Sequence, residues 1–324
     1  MKKKTSIIIK ELLEKNGTLS AKDLSEYLGI SPRATFKQLR NLLEKKEISK
    51  VGKPPKVFYH LPKAKVAIAE FVLNRELESL INENFLYITS TGNELEGLRG
   101  FEKWCTNRNL KIEKTAKEYQ KTFNKYKKFK RAGLINGLEK MKATFKKVYL
   151  NKIYYLDFYS IERFGKTKLG QYLLYAKQSQ NRKLIKVLTD IIKPKIKVIL
   201  NKYNIHAIAF VPPTVKREIQ FMKVFEHYLS LNLPKVSIVK VKSDIMIPQK
   251  TLNKLQDRIE NAKLTIIVDE KKSFKRVLLI DDAIGSGSTL NETANQLKSK
   301  KIAKEVIGLA ITGSFKGFDV ISEV

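Results

Sequence analysis

The chain has 324 residues, 43% of them hydrophobic, which is enough for two or three packed domains. With 64 Lys and Arg against 32 Asp and Glu it carries a formal net charge of +32. That surplus points to a polyanionic partner, nucleic acid or an anionic membrane surface, although lysines spread along the whole chain are also what a lysine-rich genome bias produces. The single cysteine, Cys105, excludes an internal disulfide and a cysteine-based metal cluster and suits a reducing cytoplasm. No apolar run approaches the roughly 20 residues of a spanning helix, and Lys2-Lys3-Lys4 leads through Ile7-Ile8-Ile9 straight into charges, so a cytoplasmic location without a membrane partner is expected. His60, His206 and His227 are scattered without metal-site spacing, and no protein-held metal is expected.

From Thr5 to Lys15, Ile8, Ile9, Leu12 and Leu13 share one helical face, and Asn16-Gly17 stops the pattern. Ser20 then caps a short helix through Leu24 and Leu28, with Asp23 in a capping-box position and Gly29 at its end. Ser31-Pro32 opens a third helix, in which Phe36, Leu39, Leu42 and Leu43 are expected to be buried. Arg33, Lys37, Gln38 and Asn41 then face outward, with Arg40 on the flank. Two strands, Ile48 to Val51 and Lys56 to Leu61, flank Gly52-Lys53-Pro54-Pro55 as a basic hairpin. Three short helices followed by such a hairpin resemble a winged helix-turn-helix domain, here residues 1–62. The resemblance implies that Arg33, Lys37, Gln38, Arg40 and Asn41 meet double-stranded DNA in the major groove while Lys53 and Lys56 meet phosphates. A protein-interaction module of the same shape is the alternative.

Residues 63–150 read as a helical, basic linker. Ala64 to Asn82 places Val66, Ala69, Val72, Leu73, Leu77, Leu80 and Ile81 at helical spacing, a surface able to pack on a second copy and form a homodimer. Phe85 to Thr89 reads as a strand and Leu95 to Trp104 as a helix with Trp104 in the core. Farther on, Tyr119, Phe123, Tyr126 and Phe129 recur at spacings of 4, 3 and 3, so they share a face and read as core, leaving the lysines around them for a nucleic-acid contact. Gly133 and Gly137 break that helix.

Residues 151–324 alternate strand and helix, with strands expected at Ile153 to Tyr159, Ile205 to Val211, Val236 to Val241, Val277 to Ile280 and Val306 to Ile311. Such alternation gives an α/β fold, a parallel sheet covered on both faces by helices, with a site at the C-terminal strand edge. There stands Arg276-Val-Leu-Leu-Ile-Asp-Asp-Ala-Ile-Gly-Ser-Gly-Ser-Thr-Leu290. Four apolar residues make a buried strand, and the Gly/Ser/Thr loop that follows feeds a helix N-terminus, where backbone N–H groups and the helix dipole favour an anion. Asp281 and Asp282 beside that seat can accept hydrogen bonds from neighbouring sugar hydroxyls, so a phosphorylated ribose fits. The Walker pattern fails because no Lys follows the glycines, and the dinucleotide pattern fails because the acids precede the loop rather than follow it by about 20 residues. A pair of acids that merely ends a strand is the plainer alternative.

These residues resemble the signature of type I phosphoribosyltransferases. The resemblance implies 5-phosphoribosyl-1-pyrophosphate as ligand, with Asp281 and Asp282 on the ribose hydroxyls and Ala283, Gly285, Ser286, Gly287, Ser288 and Thr289 around the 5′-phosphate. It also implies Mg²⁺ arriving with the pyrophosphate and held mostly by ligand oxygens and water. Phe210-Val211-Pro212-Pro213 followed by Lys216 and Arg217 suits a pyrophosphate loop. Ile247-Pro248-Gln249-Lys250-Thr251-Leu252 with Arg258 and Asn261 resembles the competence-associated (ComF-like) branch of that family. Two departures stand out. Gly285 occupies the place where hypoxanthine–guanine enzymes carry a carboxylate that can act as base, and no base-reading pattern is evident in the two stretches that could form a hood, 151–180 and 315–318. The leading reading is therefore a DNA-binding transcription regulator that senses phosphoribosyl pyrophosphate. An active Mg²⁺-dependent phosphoribosyltransferase, with Asp281 and Asp282 as catalytic residues and Lys216, Arg217 or Arg258 stabilising the departing charge, is the alternative. A ComF-like role in DNA uptake or processing is the third.

Overall fold

The computed structural model describes residues 4–62, 73–213, 215, 217–241, 247 and 251–314, apart from the side chain of Lys53. The chain divides into two compact units, Met1–Val72 with Ser90–Gly92 and Leu73–Thr89 with Asn93–Val324.

The first unit comprises α1 (Thr5–Asn16), β1 (Leu19–Ser20), α2 (Ala21–Leu28), α3 (Pro32–Glu44), β2 (Ser49–Lys53) and β3 (Lys56–His60). Its three strands form an antiparallel sheet in the order β1-β3-β2. Helix α2 starts on a reciprocal capping box: the Asp23 N–H donates to Ser20 Oγ (3.1 Å) and the Ser20 N–H donates to Asp23 Oδ2 (2.8 Å). Ile9, Leu13, Leu24, Leu39, Leu42 and Ile48 form the core. Phe36, expected in that core, is instead 54% exposed. The inward line of α3 runs through Thr35, Leu39 and Leu42, and Thr35 is tolerated there because its hydroxyl donates to the Ser31 carbonyl at 3.2 Å.

In the second unit the elements are α4 (Arg75–Asn84), β4 (Leu86–Ile88), β5 (Glu94–Glu96), α5 (Gly97–Thr106), α6 (Ile112–Lys127), β6 (Lys130–Arg131), β7 (Leu134–Asn136), α7 (Leu138–Thr144), β8 (Lys152–Phe158), α8 (Lys168–Gln178), α9 (Arg182–Lys202), β9 (Ala207–Phe210), α10 (Phe221–Leu229), β10 (Ile238–Lys240), α11 (Leu255–Thr265), β11 (Ile266–Val268), β12 (Phe274–Ile284), α12 (Ser288–Ser299) and β13 (Ala303–Gly313). The main sheet has the order β6-β7-β8-β13-β12-β9. Strands β8, β13, β12 and β9 are parallel, and β6 and β7 join antiparallel at the β8 edge. Strand β12 is buried on both faces because alternate side chains meet different helices. Val277 and Leu279 pack with Leu290, Ala294 and Leu297 of α12. Leu278 and Ile280 pack with Ile185, Ile192 and Phe225 of α9 and α10.

Four sequence expectations change here. The described part of 63–150 is no free-standing linker, because Leu77, Phe85, Trp104, Tyr119 and Tyr126 belong to the same core as Val277 and Leu279. Residues 63–72 of the helix expected to dimerise lie outside the described residues. The stretch ending at Gly133 is partly strand: Ala132 (φ 49°) and Gly133 (φ 76°) are both left-handed, which suits the two-residue turn that joins β6 to β7. Phe129 beside that turn is 51% exposed rather than core. Finally, the strand expected at 236–241 begins beside β9, where the Ile208 N–H donates to the Pro234 carbonyl and the Val236 N–H to the Ile208 carbonyl, but its β10 part leaves the main sheet and pairs antiparallel with β11.

Asn291 of α12 ties this helix to the approach to β8. The Tyr149 N–H donates to Asn291 Oδ1 and Asn291 Nδ2 donates to the Lys147 carbonyl, both at 2.9 Å, with Asn291 fully buried. Asn291→Ala removes both partners and is expected to lower unfolding free energy by about 2–4 kcal/mol, measured by urea denaturation. A loss under about 0.5 kcal/mol would contradict the arrangement.

Candidate functional site

Strand β12 is paired unequally on its two sides. Toward β9 the ladder ends at Ile280 opposite Phe210, followed by one last bond from the Val211 N–H to the Ile280 carbonyl (2.9 Å). Toward β13 it continues past the acids to Ile284 opposite Gly313. The strand therefore does not stop at the acids, as the sequence suggested. On the β9 side a crevice opens beside them, at the carboxyl edge of a parallel sheet where ligands of such folds bind.

A cavity of about 340 Å³ occupies that crevice. Asp281 to Leu290 forms one wall, and Val211, Pro212, Pro213, Val215 and Arg217 from the loop after β9 form a second. Arg258 of α11 also lines it; that side chain is 4% exposed and its Nε donates to the Leu252 carbonyl at 2.6 Å. The sequence-predicted residues Asp281, Asp282, Ala283, Gly285, Ser286, Gly287, Ser288, Thr289, Arg217 and Arg258 thus meet in one place. Lys216, the Pro248-Gln249-Lys250 series and residues 315–318 lie outside the described residues.

Gly287 has φ 79° and ψ 0° and precedes the first turn of α12, a left-handed position where a side chain is strained. The N-cap residue Gly287 has no side chain to cap this helix, which leaves the N–H groups after Ser288 in its first turn for an anion. Ser286 Oγ and Ser288 Oγ lie 2.9 Å apart, and the Ser288 N–H donates to Ser286 Oγ at 3.3 Å, which places two hydroxyls at the same end. A Cβ on Gly285 would meet only Arg258 Nη1, at 4.0 Å, so the loop there has room on its cavity side.

The acids are held differently from one another. Asp281 Oδ1 accepts from the Asp282 N–H at 2.7 Å. Burial, and then the charge of Asp282, raise the Asp281 pKa above the ordinary carboxylate range. Asp282 instead has an ion partner, Lys177 Nζ, 2.8 Å from its Oδ2. Lys177 stands in the last turn of α8, and Leu173, Leu174 and Gln178 of that helix and Tyr159 after β8 line the cavity with it. Sequence reasoning assigned none of these. Residues 173, 174, 177 and 178 do share a helix face, but nothing in a single sequence says which strand edge that face meets.

In the first unit, Arg33, Lys37, Arg40 and Asn41 are exposed on α3, Gln38 is half-buried, and Lys56 is exposed on β3. Phe36 shares the outward face with Arg33, Lys37 and Arg40. The Lys53 side chain lies outside the described residues.

No protein-family model matches the sequence, and no curated protein does. Among solved structures, an adenine phosphoribosyltransferase is similar over 41% of this chain and 72% of its own, at 13% identity and a TM-score of 0.26. A hypoxanthine phosphoribosyltransferase from Staphylococcus aureus is similar over 44% and 71%, at 15% identity and a TM-score of 0.27. A purine phosphoribosyltransferase from Pyrococcus horikoshii Ot3 is similar over 42% and 89%, at 17% identity and a TM-score of 0.24.

A carboxylate whose pKa is raised by folding binds its proton more tightly in the folded chain than in the unfolded one. It contributes stability below the ordinary carboxylate range and loses that contribution as pH rises through the raised value. Asp281→Asn is therefore expected to be nearly neutral to stability near pH 4 and to stabilise the fold by about 1–2 kcal/mol near pH 8, read by thermal unfolding across that range. A variant destabilised most at high pH would contradict the burial of this charge.

Proposed function

We propose that the second unit binds 5-phosphoribosyl-1-pyrophosphate and that the chain is a DNA-binding regulator responding to it. The observation that supports the ligand reading is the meeting of a carboxylate pair, a helix N-terminus behind a glycine N-cap and the loop holding Arg217 in one cavity of suitable size. In this reading the 5′-phosphate sits on the N–H groups and hydroxyls of Gly285 to Thr289, the ribose 2′- and 3′-hydroxyls donate to Asp281 and Asp282, and the pyrophosphate faces the loop holding Arg217. Among the described residues no group of three His, Cys, Asp or Glu side chains could hold a metal ion. The residues suit a Mg²⁺ that the ligand brings, with Asp281 and Asp282 as the nearest carboxylates. When bound, Mg²⁺ would supply positive charge against the pyrophosphate.

The regulatory part rests on the first unit, a compact three-helix body with a β2–β3 hairpin and a cationic outward face on α3. Three helices and such a hairpin are the parts of a winged helix, and the ligand would act by binding two conformations with different affinity. No carboxylate faces the cavity at Gly285, which favours sensing over transfer to a base. One observation favours the enzyme as the second reading: Leu173, Leu174, Phe221 and Met222 give the cavity an apolar wall on which a flat acceptor could lie. Displacement of pyrophosphate at the ribose C1 would then proceed through an oxocarbenium-like state with Asp281 and Asp282 orienting the sugar.

Calorimetry with the ligand and Mg²⁺ tests the first part. At pH 8, where Asp281 is ionised, Asp281→Asn with Asp282→Asn is expected to weaken binding at least about 30-fold, because two charge-assisted acceptors are lost. Gly285→Val should weaken it without strain in the free protein, whereas Gly287 variants would confound obstruction with their left-handed backbone. A chain that gives no Mg²⁺-dependent heat sinks the reading. Incubation with nucleobases separates the two functions, and turnover at about 1 s⁻¹ or faster that is lost in Asp282→Asn decides for the enzyme.

The DNA arm has its own signature. Lys56→Ala should weaken binding to every duplex alike and lower the salt slope by about 0.9, while Asn41→Ala should erode preference for a selected site by about 1–3 kcal/mol with nonspecific affinity retained. Failure to bind any duplex at low salt would make the first unit a protein-interaction module.

A further inference from the structure

We infer that Lys177 selects ligands carrying an anionic group at the sugar C1 and rejects those with a 5-phosphate alone, an inference that rests on the sugar-phosphate reading of the cavity. The Lys177 ammonium lies 2.8 Å from Asp282 Oδ2, and the two side chains are only 37% and 22% exposed. It thus occupies an acceptor site on Asp282 Oδ2, and a sugar hydroxyl that uses that site has to displace it.

Where the ammonium can go is limited by its backbone. The Arg217 guanidinium donates to the Lys177 carbonyl, and the Ile219 N–H donates to Gln180 Oε1 at 2.9 Å. These two bonds fix the C-terminal end of α8 to the loop that follows β9. The Lys177 backbone therefore stays beside the loop that holds Arg217 when the ammonium leaves Asp282. A ligand whose only anion sits at the N-terminal end of α12 leaves that ammonium without a partner in a half-buried place, which opposes binding. A diphosphate at C1 extends toward Arg217 and Lys177 and gives the ammonium a new partner, so displacement is compensated. One lysine thereby works against the wrong ligand and for the right one.

The test is calorimetric titration of the full chain with ribose 5-phosphate and with 5-phosphoribosyl-1-pyrophosphate, each with Mg²⁺, on the wild type, Lys177→Met, Lys177→Arg and the pair Asp282→Asn and Asp282→Asn/Lys177→Met. Lys177→Met is expected to weaken the pyrophosphate compound about 10- to 100-fold and to tighten ribose 5-phosphate about 3- to 10-fold, so the two move in opposite directions. Lys177→Arg should keep most of the wild-type ratio, which separates the charge from any role of the side chain in folding. In the Asp282→Asn background, Lys177→Met should no longer tighten ribose 5-phosphate, because there is no ion pair left to break. If the wild type binds the pyrophosphate compound and Lys177→Met leaves the ratio unmoved, or weakens both ligands equally, the selection role falls and the ligand reading stands. If the wild type binds neither compound, both fall.

Discussion

The site depends on β12 being longer on one side than on the other. Its hydrogen bonds to β13 run through the acids to Ile284, while those to β9 end at Ile280. Continued pairing on both sides would bury the acids in a closed ladder, and pairing that ended on both sides would leave the loop without a fixed base. The one-sided ladder holds Asp281 and Asp282 on a rigid strand and leaves one flank open. Strand β9 turns away into Pro212-Pro213, which cannot donate the next ladder bonds, so the opening is written into the chain at that point.

That opening sets an electrostatic problem. Two adjacent carboxylates, one of them pushed toward protonation by burial, stand beside an open helix N-terminus that attracts anions. The net surplus of lysine does not solve this, since most of those lysines are exposed and screened within about 8–10 Å. A positive group at contact distance does, and Lys177 is that group on Asp282. The difference in environment between the two acids thus comes from a third element, α8, rather than from the signature that contains them.

Much of this was legible in the sequence, for identifiable reasons. Val277 to Ile280, the two acids and the Gly/Ser/Thr loop are contiguous, so their order along the chain is their order in space, and the loop and the helix after it follow from local chemistry. The capping box of Ser20 and Asp23 and the start of α3 are local in the same way. What escaped depends on distant packing. Phe36 lies next to the inward line of α3 and falls outside because Thr35 takes the inner position. The β6–β7 hairpin lies in a stretch whose aromatic spacing suits a helix, and its turn rests on Ala132 as well as Gly133. Lys177 has no signature at all, because its role comes from where α8 ends.

The position of that end is determined far from it. The Tyr159 N–H donates to the Gly313 carbonyl at 2.9 Å, Thr167 Oγ1 donates to the Phe158 carbonyl at 2.6 Å, and Thr167 caps α8 by accepting from the Gly170 N–H at 3.1 Å. Gly170 is pressed so close to β8 that a Cβ there would lie 2.1 Å from the Tyr159 carbonyl oxygen, which any larger residue could relieve only by moving the helix. Lys177 follows Gly170 by two helical turns, so a tilt at this contact would swing its ammonium off Asp282. The loop between Tyr159 and Thr167 is anchored in turn by Phe164, whose ring meets Tyr119 at 5.1 Å and Trp104 at 5.7 Å. The region that reads in sequence as a basic linker thus supplies, through its aromatic core, the fixed point from which α8 is aimed at the signature acids.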